Sequence, residues 1–94
     1  MIVWKFPLKV EKNALSVSGL GPFELEIPSG ALVLTVGMQT EPVLWVLVDP
    51  TQPQVTHRFL IVGTGHGEVP DRFMYVGTFQ MGWFVGHVFQ ELVV

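Results

Sequence analysis

The residues of this 94-residue chain whose types and spacing suggest chemistry lie mainly between residues 58 and 80. At the centre is a glycine-rich segment, Val62-Gly63-Thr64-Gly65-His66-Gly67-Glu68. Glycines let a backbone approach a ligand closely, and exposed amides can cradle an anionic group. The known phosphate-binding loops lead into a helix, whereas a strand-like run follows here. The favoured interpretation is therefore a glycine-rich turn that needs positive φ. The alternative is a ligand-contacting loop formed by Gly63, Thr64, Gly65 and His66.

His66 is the best candidate for acid–base work among the three histidines, because Glu68 and Asp71 are close in sequence. His57 and His87 fall within strand-like runs and are predicted to be half-buried or cross-strand residues. No histidine pair has the spacing of a local metal motif, and the chain has no cysteine. No serine has the context of a nucleophile elbow. We therefore predict no catalytic residue, no metal and no cofactor, and an enzyme centred on His66 is kept as the third of three hypotheses.

Arg58 and Arg72 begin two similar runs, Arg58–Thr64 and Arg72–Thr78, each of which breaks at Gly-Thr. The similarity indicates either a duplication or similar demands on two hairpin partners. If the two runs pair as an antiparallel hairpin, the two arginines lie near opposite ends of it. The favoured interpretation is that the two arginines are solvated residues paired with Glu or Asp. The alternative is that copies of them meet at a subunit junction and hold anionic groups.

The surrounding elements are short strands. The run Phe23–Ile27 alternates apolar and acidic residues, as a half-buried antiparallel strand does. In Ala31–Gln39 the alternation predicts one face with Leu32, Leu34, Val36 and Met38. Val43–Val48 is apolar on both faces, which is typical of a central strand covered on both sides.

About seven strands separated by turns predict an all-β fold, a small antiparallel sandwich or partly open barrel. Because sequential strands usually pair, the expected topology is rich in meander. The length corresponds to a single domain over residues 1–94.

Composition predicts self-association. The chain is 49% hydrophobic but only 14% charged, against about 25% in an ordinary domain. A small protein with so few charges exposes apolar patches, which usually mark interfaces, so a homo-oligomer is expected. Trp83-Phe84 directs one large ring to each face of its strand, and Tyr75 is nearby. These three aromatic residues are the predicted interface residues.

Charge and hydropathy exclude several classes of partner. The net charge is −3, and the five basic residues form no cluster, which argues against nucleic-acid binding. No apolar run approaches the ~18 residues of a membrane span, and the N-terminus lacks the features of a signal peptide. The expected location is the cytoplasm.

Six segments carry a resemblance to a known family: Lys5–Leu8, Ile27–Ala31, Leu44–Pro50, Ile61–His66, Tyr75–Gln80 and His87–Phe89. Together they resemble a family of small proteins of unknown function encoded by tailed bacteriophages and prophages. Residues 11–23 depart from the pattern. The resemblance implies no activity and no site residue. It implies a setting, which is the cytoplasm of an infected bacterium or a minor place in the virion.

Two non-enzymatic hypotheses follow from these observations. The first is a homo-oligomeric accessory or anti-defence protein that binds a host protein or sequesters a small signalling molecule. In that case loop amides with Arg58 or Arg72 would contact anionic groups, and a base would stack on Trp83 or Tyr75. The second is a virion or assembly component whose exposed strands join larger proteins.

Overall fold

The computed structural model describes residues 1–8, 19–65 and 67–92. Within these ranges the chain forms seven strands and no helix. The strands are β1 (Ile2–Pro7), β2 (Gly19–Pro28), β3 (Leu32–Met38), β4 (Pro42–Val48), β5 (Gln54–Gly63), β6 (Phe73–Met81) and β7 (Phe84–Glu91). One sheet has the order β1-β4-β3 and the other β2-β5-β7-β6, and every pairing is antiparallel. The predicted all-β sandwich is confirmed, and the sheets do not close into a barrel.

Two predicted strands have the burial that their sequence patterns indicate. In β2, Ile27 is fully buried while Glu24 and Glu26 are exposed. Strand β4 lies at the centre of the three-stranded sheet, and its Leu44 and Val46 have no exposed surface. Alternation was therefore a sufficient signal for a half-buried strand, and the apolar run for a central one. The expected cover on both faces of β4 is incomplete, because Trp45 and Leu47, which point away from the core, are only half-buried.

The predicted apolar face of β3 is wrong. Of its four residues only Val36 is buried, whereas Leu32, Leu34 and Met38 are exposed. The pairing with β4 shifts between Val33 and Thr35, so Leu34 is an extra residue in a β-bulge. A bulge exchanges the faces of the residues before and after it, so a strict period of two does not hold along β3.

Sequential pairing is limited to two hairpins, β3–β4 and β6–β7. The β6–β7 turn places Gly82 at φ 61° beside Trp83, which matches the preference of two-residue hairpin loops for glycine. The other three pairings join strands that are not neighbours in sequence, so the expected meander holds only in part. The two similar runs do not pair with each other, because β7 lies between β5 and β6.

This order forces the connection between β5 and β6 to cross the sheet. Both strands are antiparallel to β7 and therefore parallel to each other. Strand β5 ends opposite Gly86, whereas β6 begins opposite Glu91. The segment between Thr64 and Arg72 must therefore return along β7. Gly67 and Val69 of this connection, here called the crossing segment, lie beside His87. His87 alternates along β7 with the core residue Val88, so these residues lie on the face that points away from the other sheet, here called the outer face.

The core lies between the inner faces of the two sheets. It consists of Leu8, Ile27, Val36, Leu44, Val46, Val48, Phe59, Ile61, Phe79, Phe84 and Val88. Two glycines allow the closest approaches within it. A Cβ atom at Gly77 of β6 would lie 2.7 Å from the Val36 Cγ1 atom of β3, and one at Gly86 would lie 2.5 Å from the Phe79 ring. Gly77 therefore sets how closely the two sheets pack at this point.

We expect Gly77→Ala to lower the free energy of unfolding by about 1–3 kcal/mol, because the added methyl group overpacks the contact with Val36. Chemical denaturation measures this change. Adding Val36→Ala removes the clashing methyl group, so the double variant should lose less stability than the sum of the two single variants. Strict additivity would contradict the proposed clash.

The turn after β4 has an acid with a perturbed pKa. The Asp49 carboxylate accepts hydrogen bonds from the Thr51 hydroxyl at 2.7 Å and the Thr51 amide at 3.1 Å. These bonds stabilise the ionised form and hold the pKa of Asp49 below its usual range.

Because the folded-state pKa is lowered, the stabilisation by ionised Asp49 is fully present above its ordinary pKa of 3.8 and is lost as pH falls through the folded pKa. Thr51→Val should raise the pKa of Asp49 toward its ordinary value, as measured by NMR titration of the carboxyl carbon. Thr56→Val, whose hydroxyl bonds Glu26 instead, is the matched control and should leave this pKa unchanged.

Candidate functional site

The crossing segment and the outer face of the four-stranded sheet form an open hollow of about 240 Å³. It is lined by Val62, Gly63, Thr64, Gly65, Gly67, Val69, His87 and Phe89. A cavity of about 150 Å³ holds benzene, whereas sites for drug-sized ligands begin at about 300 Å³. The hollow therefore has room for a single ring or a group of similar size.

His87 lies at the centre of the polar side of this hollow. Its Nε2 atom is 2.7 Å from the Thr64 hydroxyl, and its Nδ1 atom is 3.0 Å from the Thr78 hydroxyl. The Thr78 hydroxyl is in turn 2.6 Å from the Tyr75 hydroxyl. The row therefore joins three parts of the sheet. Tyr75 and Thr78 are on β6, with Thr78 directly opposite His87 of β7, and Thr64 is the first residue after β5.

This row can adapt to either type of hydrogen-bonding partner. A hydroxyl group both donates and accepts, and a neutral imidazole has one donor and one acceptor nitrogen. His87 can therefore keep both hydrogen bonds in either tautomer while the hydroxyl groups rotate. As a result, the exposed Thr64 hydroxyl can offer a ligand a donor or an acceptor.

The hollow also has an apolar lining. Val62 is buried, and Val69 and Phe89 are half-buried. The Phe89 ring meets the Tyr75 ring edge-on, with centroids 5.7 Å apart and planes 67° apart. The hollow therefore combines an aromatic wall with one hydrogen-bonding row, which suits a flat group that has a polar edge.

The two similar runs flank the same strand in equivalent ways. Thr64 and Thr78, at their ends, contact the two ring nitrogens of His87. At their beginnings, the Arg72 Nε atom is 2.6 Å and the Arg58 Nη1 atom 3.4 Å from the Glu91 carboxylate. The repeat therefore corresponds to two parallel strands that bond one central strand from both sides.

The separation of the two arginines that an antiparallel hairpin would produce does not arise, because the two runs do not pair with each other. With β7 between them, Arg58 and Arg72 meet at the same end of the sheet, on Glu91. The expectation that each pairs with an acid is confirmed. Glu91 is four residues from His87, or about 13 Å along the strand. The arginines are therefore not part of the lining of the hollow.

The remaining predicted residues lie in different places. Gly63, Thr64 and Gly65 line the hollow, and Gly65 has a φ of 77°. His66 lies outside the described residues. Trp83 is 73% exposed in the β6–β7 turn, whereas Phe84 belongs to the core, so the two rings do point to opposite sides.

The central role of His87 in the row was not predicted, although its half-buried, cross-strand position was. A signal was present, because each similar run ends in a Gly-Thr step and the hydroxyl groups of both steps reach this residue. That signal becomes readable only with the strand order, since Thr64 is 23 residues from His87 in sequence.

Two further features are absent from the part of the chain that the structure describes. It contains no group of three or more potential metal-ligating side chains. It also contains no helix that is long and apolar enough to cross a membrane.

The fold and this site together define a small open β-sandwich with a one-ring hollow on the outer face of its larger sheet. The chain belongs to the family described as a domain of unknown function (DUF7352), whose model matches residues 1–93. Comparisons with curated proteins and with solved structures give no match.

Glu91 should matter more for stability than its surface position suggests. Its side chain is only 15% exposed and bridges two guanidinium groups, so Glu91→Gln leaves both arginines without this partner. We expect a loss of about 1–2 kcal/mol in the free energy of unfolding, between the values for exposed and buried ion pairs. Glu24→Gln is the control, because Glu24 is 62% exposed and 4.0 Å from Arg58. Equal losses in the two variants would contradict the bridging role.

Proposed function

We propose that this protein acts by binding, without catalysis, and that its hollow holds an uncharged, single-ring group of a small molecule. The observation that carries this proposal is the Thr64–His87 pair in the hollow, continued outside it by Thr78 and Tyr75, beside the apolar side chains of Val62 and Phe89. The wall would cover one face of the ring, and the Thr64 hydroxyl, held by the His87 imidazole, would bond its polar edge.

The hydrogen bonds of His87 favour binding over catalysis. A hydroxyl beside an imidazole resembles a nucleophile and its base, but catalytic histidines of that kind are oriented by a carboxylate that stabilises the imidazolium ion. Here the two hydrogen-bond partners found for His87 among the described residues are both hydroxyl groups. Such partners position a neutral ring well and stabilise a positive charge on it less than a carboxylate would.

The charges around the hollow favour a neutral ligand over an anionic one. None of its described lining residues is an arginine or a lysine. The two guanidinium groups that sequence reasoning assigned to an anion contact Glu91 instead. Loop amides remain available in principle, but without a nearby cation they would give an anion little compensation for its lost hydration.

The biological setting that we propose is that of a phage accessory protein in the cytoplasm of an infected bacterium. This part rests on the sequence resemblance alone. Sequestration of a small signalling molecule is the form of the function that a one-ring hollow would serve.

A virion or assembly component is the second candidate, favoured by the exposed apolar residues on both edge strands of the smaller sheet, such as Val3 and Leu32. Recovery of the protein in purified particles would support this candidate, whereas recovery in the lysate would support the first.

The binding proposal is tested with ¹⁵N-labelled protein and three single-ring probes, uracil, phenol and benzoate. We expect uracil and phenol to shift the amide signals of Gly63, Thr64 and His87, with dissociation constants of about 1 mM, as is usual for fragments of this size. Benzoate should bind more weakly because its charge has no partner in the hollow. No shift with any probe would overturn the proposal, and preferential binding of benzoate would overturn its neutral-ligand part.

Two variants locate the binding. Thr64→Val and His87→Phe keep the shape of the hollow but remove hydrogen-bonding atoms, so each should weaken uracil binding about fivefold. Thr56→Val is the matched control, because it makes the same change on β5 at a hydroxyl that bonds Glu26. Unchanged binding in both hollow variants would contradict the assigned site.

A further inference from the structure

The outer face of the three-stranded sheet has an apolar row that no described element covers. Val3 of β1 pairs with Leu47 of β4, which pairs with Leu32 of β3, so the three side chains lie side by side. Val3 and Leu32 are 54% and 58% exposed, and Leu47 is half-buried. The next row on this face contains half-buried Trp45 beside Lys5. This apolar face points away from the sheet that carries the hollow.

The edges of the same sheet are poorly suited to pairing with another strand. Strand β3 has the bulge at Leu34, which interrupts the regular spacing of its hydrogen-bonding groups. Strand β1 contains Lys5 and ends in Pro7, and both residue types blunt an edge. An assembly through this sheet therefore uses its face and not its edges.

We propose that the apolar face binds a second copy of this chain, with the Val3–Leu47–Leu32 row of each copy packed on the same row of the other. A two-fold axis in the plane of the interface and parallel to the row produces this contact. Such an axis makes the interface isologous, so that one self-complementary patch serves both copies.

The charges at the two ends of the face support this choice of occupant. Lys5 follows Val3 by two residues, and Asp49 follows Leu47 by two residues. Because β1 and β4 are antiparallel, Lys5 and Asp49 lie on opposite sides of the Val3–Leu47–Leu32 row. The proposed axis exchanges the two ends, so the Lys5 end of one copy faces the Asp49 end of the other. At each end, Lys5 of one copy therefore lies over Met1 of the other and about one strand spacing from Asp49, whose carboxylate also offsets the charge of the Met1 amino group. The middle of the contact is apolar.

The size of the face predicts a weak dimer. Three strands are about 14 Å wide, and six or seven residues span about 20 Å, giving a flat area of roughly 300 Å² per copy. A standard interface has about 800 Å² per partner. The dimer should therefore dissociate in the range of about 10 μM to 1 mM, as transient interfaces do.

Sedimentation velocity over that concentration range tests the proposal. We expect the wild-type sedimentation coefficient to rise with concentration, and Val3→Lys or Leu32→Lys to weaken dimerisation at least about tenfold because each copy then presents a charge to the other. Met74→Lys is the matched control. Met74 is 55% exposed on the other sheet, so this variant should dimerise like the wild type.

A charge exchange tests the symmetry. Lys5→Glu alone should weaken the dimer by placing two acids together, and adding Asp49→Lys should restore it. Melting curves confirm that each variant is folded. A wild-type monomer at about 1 mM, or a Met74→Lys effect as large as that of Leu32→Lys, would overturn the proposal. So would a dimer that none of the variants on the face affects.

Discussion

The position of β7 between β5 and β6 is the constraint on which the candidate site depends. Because both outer strands are antiparallel to β7, they are parallel to each other, and parallel strands cannot be joined by a tight turn. The connection must run back along the sheet, and it lies on the outer face because the inner face is filled by Phe79, Phe84 and Val88. The hollow is the space left between this connection and β7.

The same arrangement explains why two similar runs occur in a small chain. Each run presents an arginine at its start and a threonine at its end to a strand that has Glu91 and His87 at matching levels. One acid and one imidazole thus serve two neighbours each. This saves charged residues in a chain that has few of them. It also places the ion pairs at one end of the sheet and the hydroxyl–imidazole row near the middle of β7.

Sequence reasoning recovered the features that depend on local pattern and missed those that depend on strand order. The alternation in β2 and the central position of β4 were readable because packing on a core and pairing on both edges favour different residue patterns. The bulge at Leu34 leaves no such pattern, so four residues of β3 were wrongly assigned to one apolar face. The row around His87 joins residues from three strands, and nothing in the local sequence of β7 distinguishes it from a structural cross-strand contact.

The two outer faces of the sandwich differ in a way that separates their uses. The outer face of the larger sheet is divided by the crossing segment and has polar groups that bond one another, so it offers a small, specific hollow. The outer face of the smaller sheet has no such segment among the described residues, and its centre is an uninterrupted apolar row. A flat apolar surface gains most from another flat surface, whereas a hollow with a hydrogen-bonding edge gains most from a small group that fits it. Since the two faces are on opposite sides of the core, self-association leaves the hollow open to its ligand.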